Sequence, residues 1–210
     1  MALSLLGIYG GTFDPIHYGH LRPVREIYQT LELSEVRFIP APRPPHRPTP
    51  MASAEDRLTM VRLALEGESA FVLDDCEFKR NAPSYTVDTL RAIHKESGDS
   101  TLCLLIGADS LQSLETWHEW EQLFDLCHII VMARPGYPLD TSSLPWLKSR
   151  LCKDKQELNT RPKGCVYICA VKEQPISATA VRKAVAEGKP INDMVPAPVA
   201  DYITKEKLYY

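Results

Sequence analysis

The chain has 210 residues, 44% of them hydrophobic and 24% charged, with 24 Lys and Arg against 27 Asp and Glu for a formal net charge of −3. That length and balance suit one ordinary globular domain with a sizeable core, neither disordered nor fibrous. The slightly acidic chain supplies no global basic field of the kind that coats nucleic acid, so the expected partners are neither nucleic acid nor membrane, leaving only a local basic patch open.

The first apolar run, residues 3–9, has no Lys or Arg ahead of it and meets Gly10-Gly11-Thr12. It is too short to span a bilayer and lacks the charged start of a secretory signal, so it reads as a buried strand. Further apolar runs of strand length fall at 36–39, 71–74, 102–106, 129–133 and 166–170. Between them helical periodicity covers about 19–32, 53–65, 85–96, 117–124 and 177–187, and a short final helix fits about 199–208. In the helix over 53–65, Leu58, Val61, Leu63, Ala64 and Leu65 make a broad apolar face, Ser53 suits the N-cap, and Glu55 and Asp56 sit in the first turn. That helix is a packing element with no chemistry assigned to it.

Alternating strands and helices imply an α/β fold whose parallel sheet is covered by helices. Six dispersed cysteines without a C-x-x-C pair, several inside apolar runs, fit reduced thiols in a cytoplasmic protein. His94 reads as a solvated surface residue and His128, bordering a strand, as structural.

Prolines at 40, 42, 44, 45, 48 and 50 forbid helix and central strand, so this segment is a stiff loop after the second strand. It fits a spacer or a ligand for an aromatic groove equally with a rigid arm carrying Arg43, His46 and Arg47 beside the carboxyl end of a strand.

The most informative string, Gly10-Gly11-Thr12-Phe13-Asp14-Pro15-Ile16-His17-Tyr18-Gly19-His20, lies between the first strand and the first helical pattern. Gly10 and Gly11 allow close backbone approach to a ligand, Asp14-Pro15 favours a turn, and Gly19 brings the chain near a ligand at the helix start. A helix N-terminus favours anions, and His17 and His20, three residues apart, project to one side as a clamp for phosphate oxygens. A zinc pair fits less well, since no further ligand at suitable spacing completes a tetrahedron, and two structural histidines in a turn would be the better reading of the spacing alone, which the whole eleven-residue string outweighs. Neither G-x-x-x-x-G-K-[ST] nor G-x-G-x-x-G occurs.

This string resembles the T/H-x-G-H signature of the nucleotidyltransferase superfamily, and Ile176-Ser177-Ala178-Thr179-Ala180-Val181-Arg182 resembles its second motif, I-S-S-T-x-x-R. Together with Pro44-Pro45-His46-Arg47, Ala82-Pro83-Ser84-Tyr85-Thr86, Gly107-Ala108-Asp109-Ser110 and Thr116-Trp117, the pattern is similar to the bacterial nicotinate-nucleotide adenylyltransferase family over nearly the whole chain. The resemblance implies a Rossmann-like, doubly wound, mainly parallel sheet with helices on both faces. It further implies one nucleotidyltransferase domain over residues 1–210, with the second phosphate motif and C-terminal helices in about 176–210. The implied reaction joins ATP and nicotinate mononucleotide into nicotinate adenine dinucleotide and pyrophosphate, a step of NAD biosynthesis.

The resemblance also implies roles. His17, His20 and Arg182 are the expected catalytic groups. ATP is expected to meet Gly10, Gly11, Thr12, Phe13, His17, Gly19, His20, Gly107, Asp109, Ile176, Ser177, Thr179 and Arg182, with Asp109 on ribose hydroxyls. The mononucleotide is expected at His46, Arg47, Tyr85, Thr86, Trp117, His118 and Arg134, with Trp117 stacking on the pyridine and backbone N–H groups near Thr86 and His118 receiving its carboxylate. Mg²⁺ is expected to travel on the ATP phosphates, with no dedicated carboxylate cage. Ala178 departs from the motif and removes one hydroxyl. Two alternatives stand beside this reading: a related transferase with another acceptor (nicotinamide mononucleotide, phosphopantetheine or glycerol phosphate), and a non-catalytic nucleotide-binding module of the same fold. A proline-rich adaptor rests on residues 40–50 alone. The sequence leaves a homo-oligomer open.

Overall fold

The computed structural model describes residues 4–45, 49–133 and 143–210. Its strands are β1 (Leu5–Gly11), β2 (Glu35–Pro40), β3 (Phe71–Leu73), β4 (Thr101–Gly107), β5 (Cys127–Ala133), β6 (Leu151–Cys152) and β7 (Val166–Ala170), in the order β3-β2-β1-β4-β5-β7-β6. Helices are α1 (Tyr18–Leu31), α2 (Ala54–Ala64), α3 (Thr86–Glu96), α4 (Ala108–Gln112), α5 (Glu157–Thr160), α6 (Ala178–Ala186) and α7 (Ala197–Lys205).

β1 pairs parallel with β4 from Leu5↔Thr101 to Ile8↔Leu104, β4 with β5 from Leu102↔Cys127 to Gly107↔Met132, and β5 with β7 from Ile129↔Val166 to Ala133↔Ala170. The chain grows outward from β1 to β3, then returns to place β4 on the other side of β1, so the strand order reverses there as in doubly wound sheets. β4 and β5 read as unbroken apolar runs because central parallel strands are buried on both faces.

By internal contacts the chain forms two compact units, each drawn from three stretches. One contains residues 1–9, 26–37 and 85–173, the other residues 10–25, 38–84 and 174–210. The first is built on Leu5, Ile8, Ile27, Leu102, Leu105, Ile129, Ile130 and Val166, all buried. The second buries Phe13, Ile16, Val24, Phe38, Ile39, Met60, Val61, Val181, Val199 and Ile203.

Six expected strands and five expected helices are present, within a few residues of their expected ends. The helix expected over 117–124 is not an α-helix. Trp117 is extended and Glu119 has φ 50, a left-handed conformation that no right-handed helix continues through, so only a 3₁₀ segment, Trp120–Asp125, follows. β6, α4 and α5 are too short to show a period in sequence.

All six cysteines are free thiols, five of them buried. Among the described residues no helix is long and apolar enough to cross a membrane.

Candidate active site

In the second unit, β1 ends in Gly10-Gly11 and the chain turns through Phe13, at φ 49, to the start of α1 at Tyr18. The turn buries His17 to 4% exposure and stacks its ring on that of His20, with centroids 3.7 Å apart, while Phe13 meets His20 edge-on at 5.2 Å. The backbone N–H of His17 donates to Nδ1 of His20 at 3.3 Å, so Nε2 is the nitrogen of His20 that carries the proton. Burial pushes the pKa of His17 down to about 4. Burial, and then the charge on His17, holds His20 well below the usual imidazole range. Both rings are therefore neutral hydrogen-bonding groups near pH 7. Nδ1 of His17 is buried without a hydrogen-bond partner.

Gly19 also has a reason within the protein itself. A Cβ there would lie 2.6 Å from the carbonyl oxygen of Ile176 and 2.8 Å from Nδ1 of His17. The space is used by the protein's own atoms: the missing side chain lets the start of α1 close on the segment that leads into α6. At Gly10 the nearest atom to a Cβ is 3.9 Å away, and at Gly11 the ring of Phe13 fills the space at 2.8 Å.

Ser177 is the N-cap of α6, its Oγ accepting from the N–H of Ala180 at 3.2 Å. A hydroxyl that accepts in this way keeps its own proton to donate, so capping and phosphate binding are compatible. Thr179 is exposed one residue into the helix. Arg182 donates from Nη2 to Oγ1 of Thr179 at 3.3 Å and from Nη1 to the carbonyl of Asp14 at 2.7 Å. The structure thus joins the two sequence motifs directly, through Gly19 to Ile176 and through Asp14 to Arg182.

Two residues of this unit went beyond sequence reasoning. Asp14, expected only to favour a turn, is buried and accepts from the N–H groups of Met51 and Ala52 and from the hydroxyl of Tyr209. Arg57, on the helix read as pure packing, is 1% exposed and donates to the carbonyls of Thr12 at 2.6 Å, Ala41 at 2.7 Å and Pro42 at 3.2 Å. The signal for Arg57 was its phase: with Met60, Val61 and Ala64 it makes the i, i+3, i+4, i+7 buried stripe of α2, while Leu58 and Leu63 are only half-buried. Of the proline-rich loop, Arg43 binds Asn81 through Nη1 at 2.7 Å, and its carbonyl accepts from the N–H of Ser84 at 3.1 Å. His46 and Arg47 lie outside the described residues, as does Arg134.

The other unit holds the remaining expected residues. Tyr85 and His118 come together, with ring centroids 4.3 Å apart and a 30° tilt. Tyr85 is the N-cap of α3 and no side chain caps that end, which leaves first-turn N–H groups at Thr86 open to an anion. Trp117 is half-buried at the end of a 3₁₀ turn, while Trp120 packs against Phe124 and Trp146. Gly107 ends β4, and Asp109, exposed in the first turn of α4, folds its Oδ1 into the space a Gly107 Cβ would take. His128 is buried between the N–H of Cys165, which donates to Nδ1 at 3.0 Å, and the carbonyl of Arg161, which accepts from Nε2 at 2.9 Å. Among the described residues no group of three His, Cys, Asp or Glu is placed to hold a metal ion.

Comparison with known proteins adds independent findings. The cytidylyltransferase-like family model matches residues 8–184. A protein of Methylococcus capsulatus named probable nicotinate-nucleotide adenylyltransferase is 42% identical over 208 residues, covering 98% of this chain and 99% of its own. One of the same name from Yersinia pestis is 45% identical over 210 residues, covering 98% and 96%. The solved structure of Plasmodium falciparum nicotinic acid mononucleotide adenylyltransferase complexed with NaAD shares the fold, with TM-score 0.76 at 22% identity over 98% of this chain and 97% of that one.

Proposed function

Because this chain belongs to the cytidylyltransferase-like family, we propose that it works as a nicotinate-nucleotide adenylyltransferase, transferring AMP from ATP to nicotinate mononucleotide and releasing pyrophosphate. The observation that carries the reading is the neutral stack of buried His17 on half-buried His20, held at the start of α1 against the segment that opens α6.

The phosphate of the mononucleotide is already anionic near neutral pH and is itself the nucleophile. Its oxygen forms a bond to the α-phosphorus of ATP as the bond to the pyrophosphate oxygen breaks, and no protein base has to remove a proton. The barrier is repulsion between polyanions and charge growing on the leaving group, so placed hydrogen-bond donors and cations supply the catalysis. In this reading Nε2–H of His20 and the ring of His17 hold ATP phosphate oxygens, with backbone N–H groups near Gly10, Gly11, Thr12 and Phe13. Ser177 and Thr179 donate to the β- and γ-phosphates and Arg182 adds charge, while Asp109 beside Gly107 accepts from ribose hydroxyls. Trp117 offers the stacking face for the pyridine, and first-turn N–H groups at Thr86, with Tyr85 and His118 beside them, receive its carboxylate. His46, Arg47 and Arg134 complete the phosphate contacts.

Mg²⁺ fits this reading as an ion carried on the ATP phosphates, where it would neutralise charge, its other ligands being water. Free thiols support a cytoplasmic setting. Because the family match runs through stretches of both units, we take residues 1–210 to act as one nucleotidyltransferase domain.

Pyrophosphate release with ATP and Mg²⁺ tests the reading, with nicotinate mononucleotide, nicotinamide mononucleotide and phosphopantetheine compared under one set of conditions. The expected result is strong preference for the nicotinate compound. Preference for another acceptor overturns the substrate, and ATP binding without any turnover overturns the enzyme.

A further inference from the structure

We propose that Arg91 is a positioning residue for the pyridine end of the mononucleotide: by gripping Glu119 it holds the left-handed turn that presents Trp117 and His118 beside the start of α3. The inference rests on the mononucleotide contacts given above to Trp117, Thr86 and His118, and every residue it uses lies in one compact unit.

Glu119 sits at φ 50 and ψ 38, a left-handed conformation that glycine takes readily and that is unfavourable for a residue with a long side chain. Backbone of this kind persists where its surroundings hold it. Here the hold is polar. Nη2 of Arg91, on α3, donates to Oε2 of Glu119 at 2.5 Å and to Oε1 of Gln122, while Nη1 donates to Oδ1 of Asp88 at 3.0 Å. One guanidinium thus ties two side chains of the turn to α3. An isolated surface ion pair holds little, but a planar guanidinium shared among three acceptors fixes its own direction and theirs.

The stretch needs such a hold. Its flanks are fixed by burial, Leu114 on one side and Leu123 and Phe124 on the other, whereas His118 and Glu119 between them are exposed and Trp117 is half-buried. Arg91 lies on the helix that Tyr85 caps, so α3 meets the turn at two successive residues, the ring of Tyr85 on that of His118 and the guanidinium of Arg91 on the carboxylate of Glu119. A glycine at 119 would make the turn freely but offer Arg91 nothing to hold. Without the grip, Glu119 is free to return to ordinary backbone, which shifts Trp117 and His118 relative to α3 and leaves the binding-competent arrangement a minor one.

The test is a double-mutant cycle in steady-state kinetics, with the KM values for nicotinate mononucleotide and ATP read separately and thermal melting confirming that each variant is folded. If loss of the grip leaves the competent turn populated about a tenth of the time, Arg91→Ala and Glu119→Ala should each raise the mononucleotide KM about 10-fold and the ATP KM less than about 2-fold. Because the two residues act through one contact, the double variant should stand within about 2-fold of either single one. Losses that multiply in the double variant, equal rises in both KM values, or no rise for Arg91→Ala each overturn the proposal. Trp117→Ala separates it from the reading beneath it. If that variant leaves the mononucleotide KM unchanged, the pyridine site is misplaced and the proposal fails with it; a raised KM there beside an unchanged one for Arg91→Ala overturns the positioning role alone.

Discussion

Imidazoles that serve a polyanion are often pictured as cations, yet burial makes His17 and His20 neutral near pH 7. A neutral ring still donates one hydrogen bond, and its direction here is fixed: the N–H of His17 occupies Nδ1 of His20, which leaves Nε2–H as the donor. Neutral donors also cost less to bury than charges do. If these groups act mainly on charge that grows in the transition state, His17→Ala and His20→Ala should each lower kcat about 100-fold with a smaller change in ATP affinity. Steady-state kinetics alongside ATP titration would check this, and near-normal turnover in both variants would remove the histidines from the mechanism. Asp14, Arg57 and Tyr209 show the limit of reading residues singly. A buried Arg in phase with an apolar stripe was visible as a pattern, but the carbonyls of Thr12, Ala41 and Pro42 that it binds come from two other segments.

The start of α1 and the approach to α6 meet at one glycine, where two effects of opposite sign can be compared. Replacing Gly19 by Ala should favour the helix itself by about 1 kcal/mol. The added Cβ, however, would sit 2.6 Å from the carbonyl oxygen of Ile176, a backbone atom that cannot swing aside. Overpacking of this kind costs about 1–3 kcal/mol, so we expect Gly19→Ala to be net destabilising by about 1 kcal/mol in urea unfolding and to lower activity. A gain in stability would show that the contact is not tight. The elements themselves were largely legible, because β4 and β5 are long apolar runs, α1, α3 and α6 carry a clear helical period, and α2 is marked by its Ser53 cap with Glu55 and Asp56 in the first turn. The segment after Trp117 was not, because apolar spacing alone does not reveal the left-handed backbone at Glu119.

Among the described residues, buried His17 and His128 and half-buried His20 share one acid liability. His17, His20 and His128 are all held below the ordinary imidazole range, chiefly by burial, whereas the unfolded chain takes up protons at about pH 6.5. Below that pH the unfolded state binds more protons than the folded one, so stability is complete above about pH 6.5 and falls as the pH drops toward the folded value, about 4 for His17. Each such group contributes a slope of about 1.4 kcal/mol per pH unit inside its window. Urea unfolding between pH 7 and pH 4.5 should show this decline, and His17→Asn should flatten it relative to the parent chain. An unchanged slope in that variant would mean that His17 is not held neutral by the fold.

The sequence by itself determined the alternation of strands and helices, the parallel sheet, and the two motifs around His17, His20, Ser177, Thr179 and Arg182. These are written in local periodicity and in short strings whose residue types have few other uses. Tertiary structure decided what those residues bind within the protein: the stacking of His17 on His20, the carbonyl of Ile176 against Gly19, and the ring of donors around Asp14. Such contacts join residues as far apart as 14 and 209. They follow from how strands and helices pack, and a hydrogen bond across that separation leaves no periodicity in the chain that forms it.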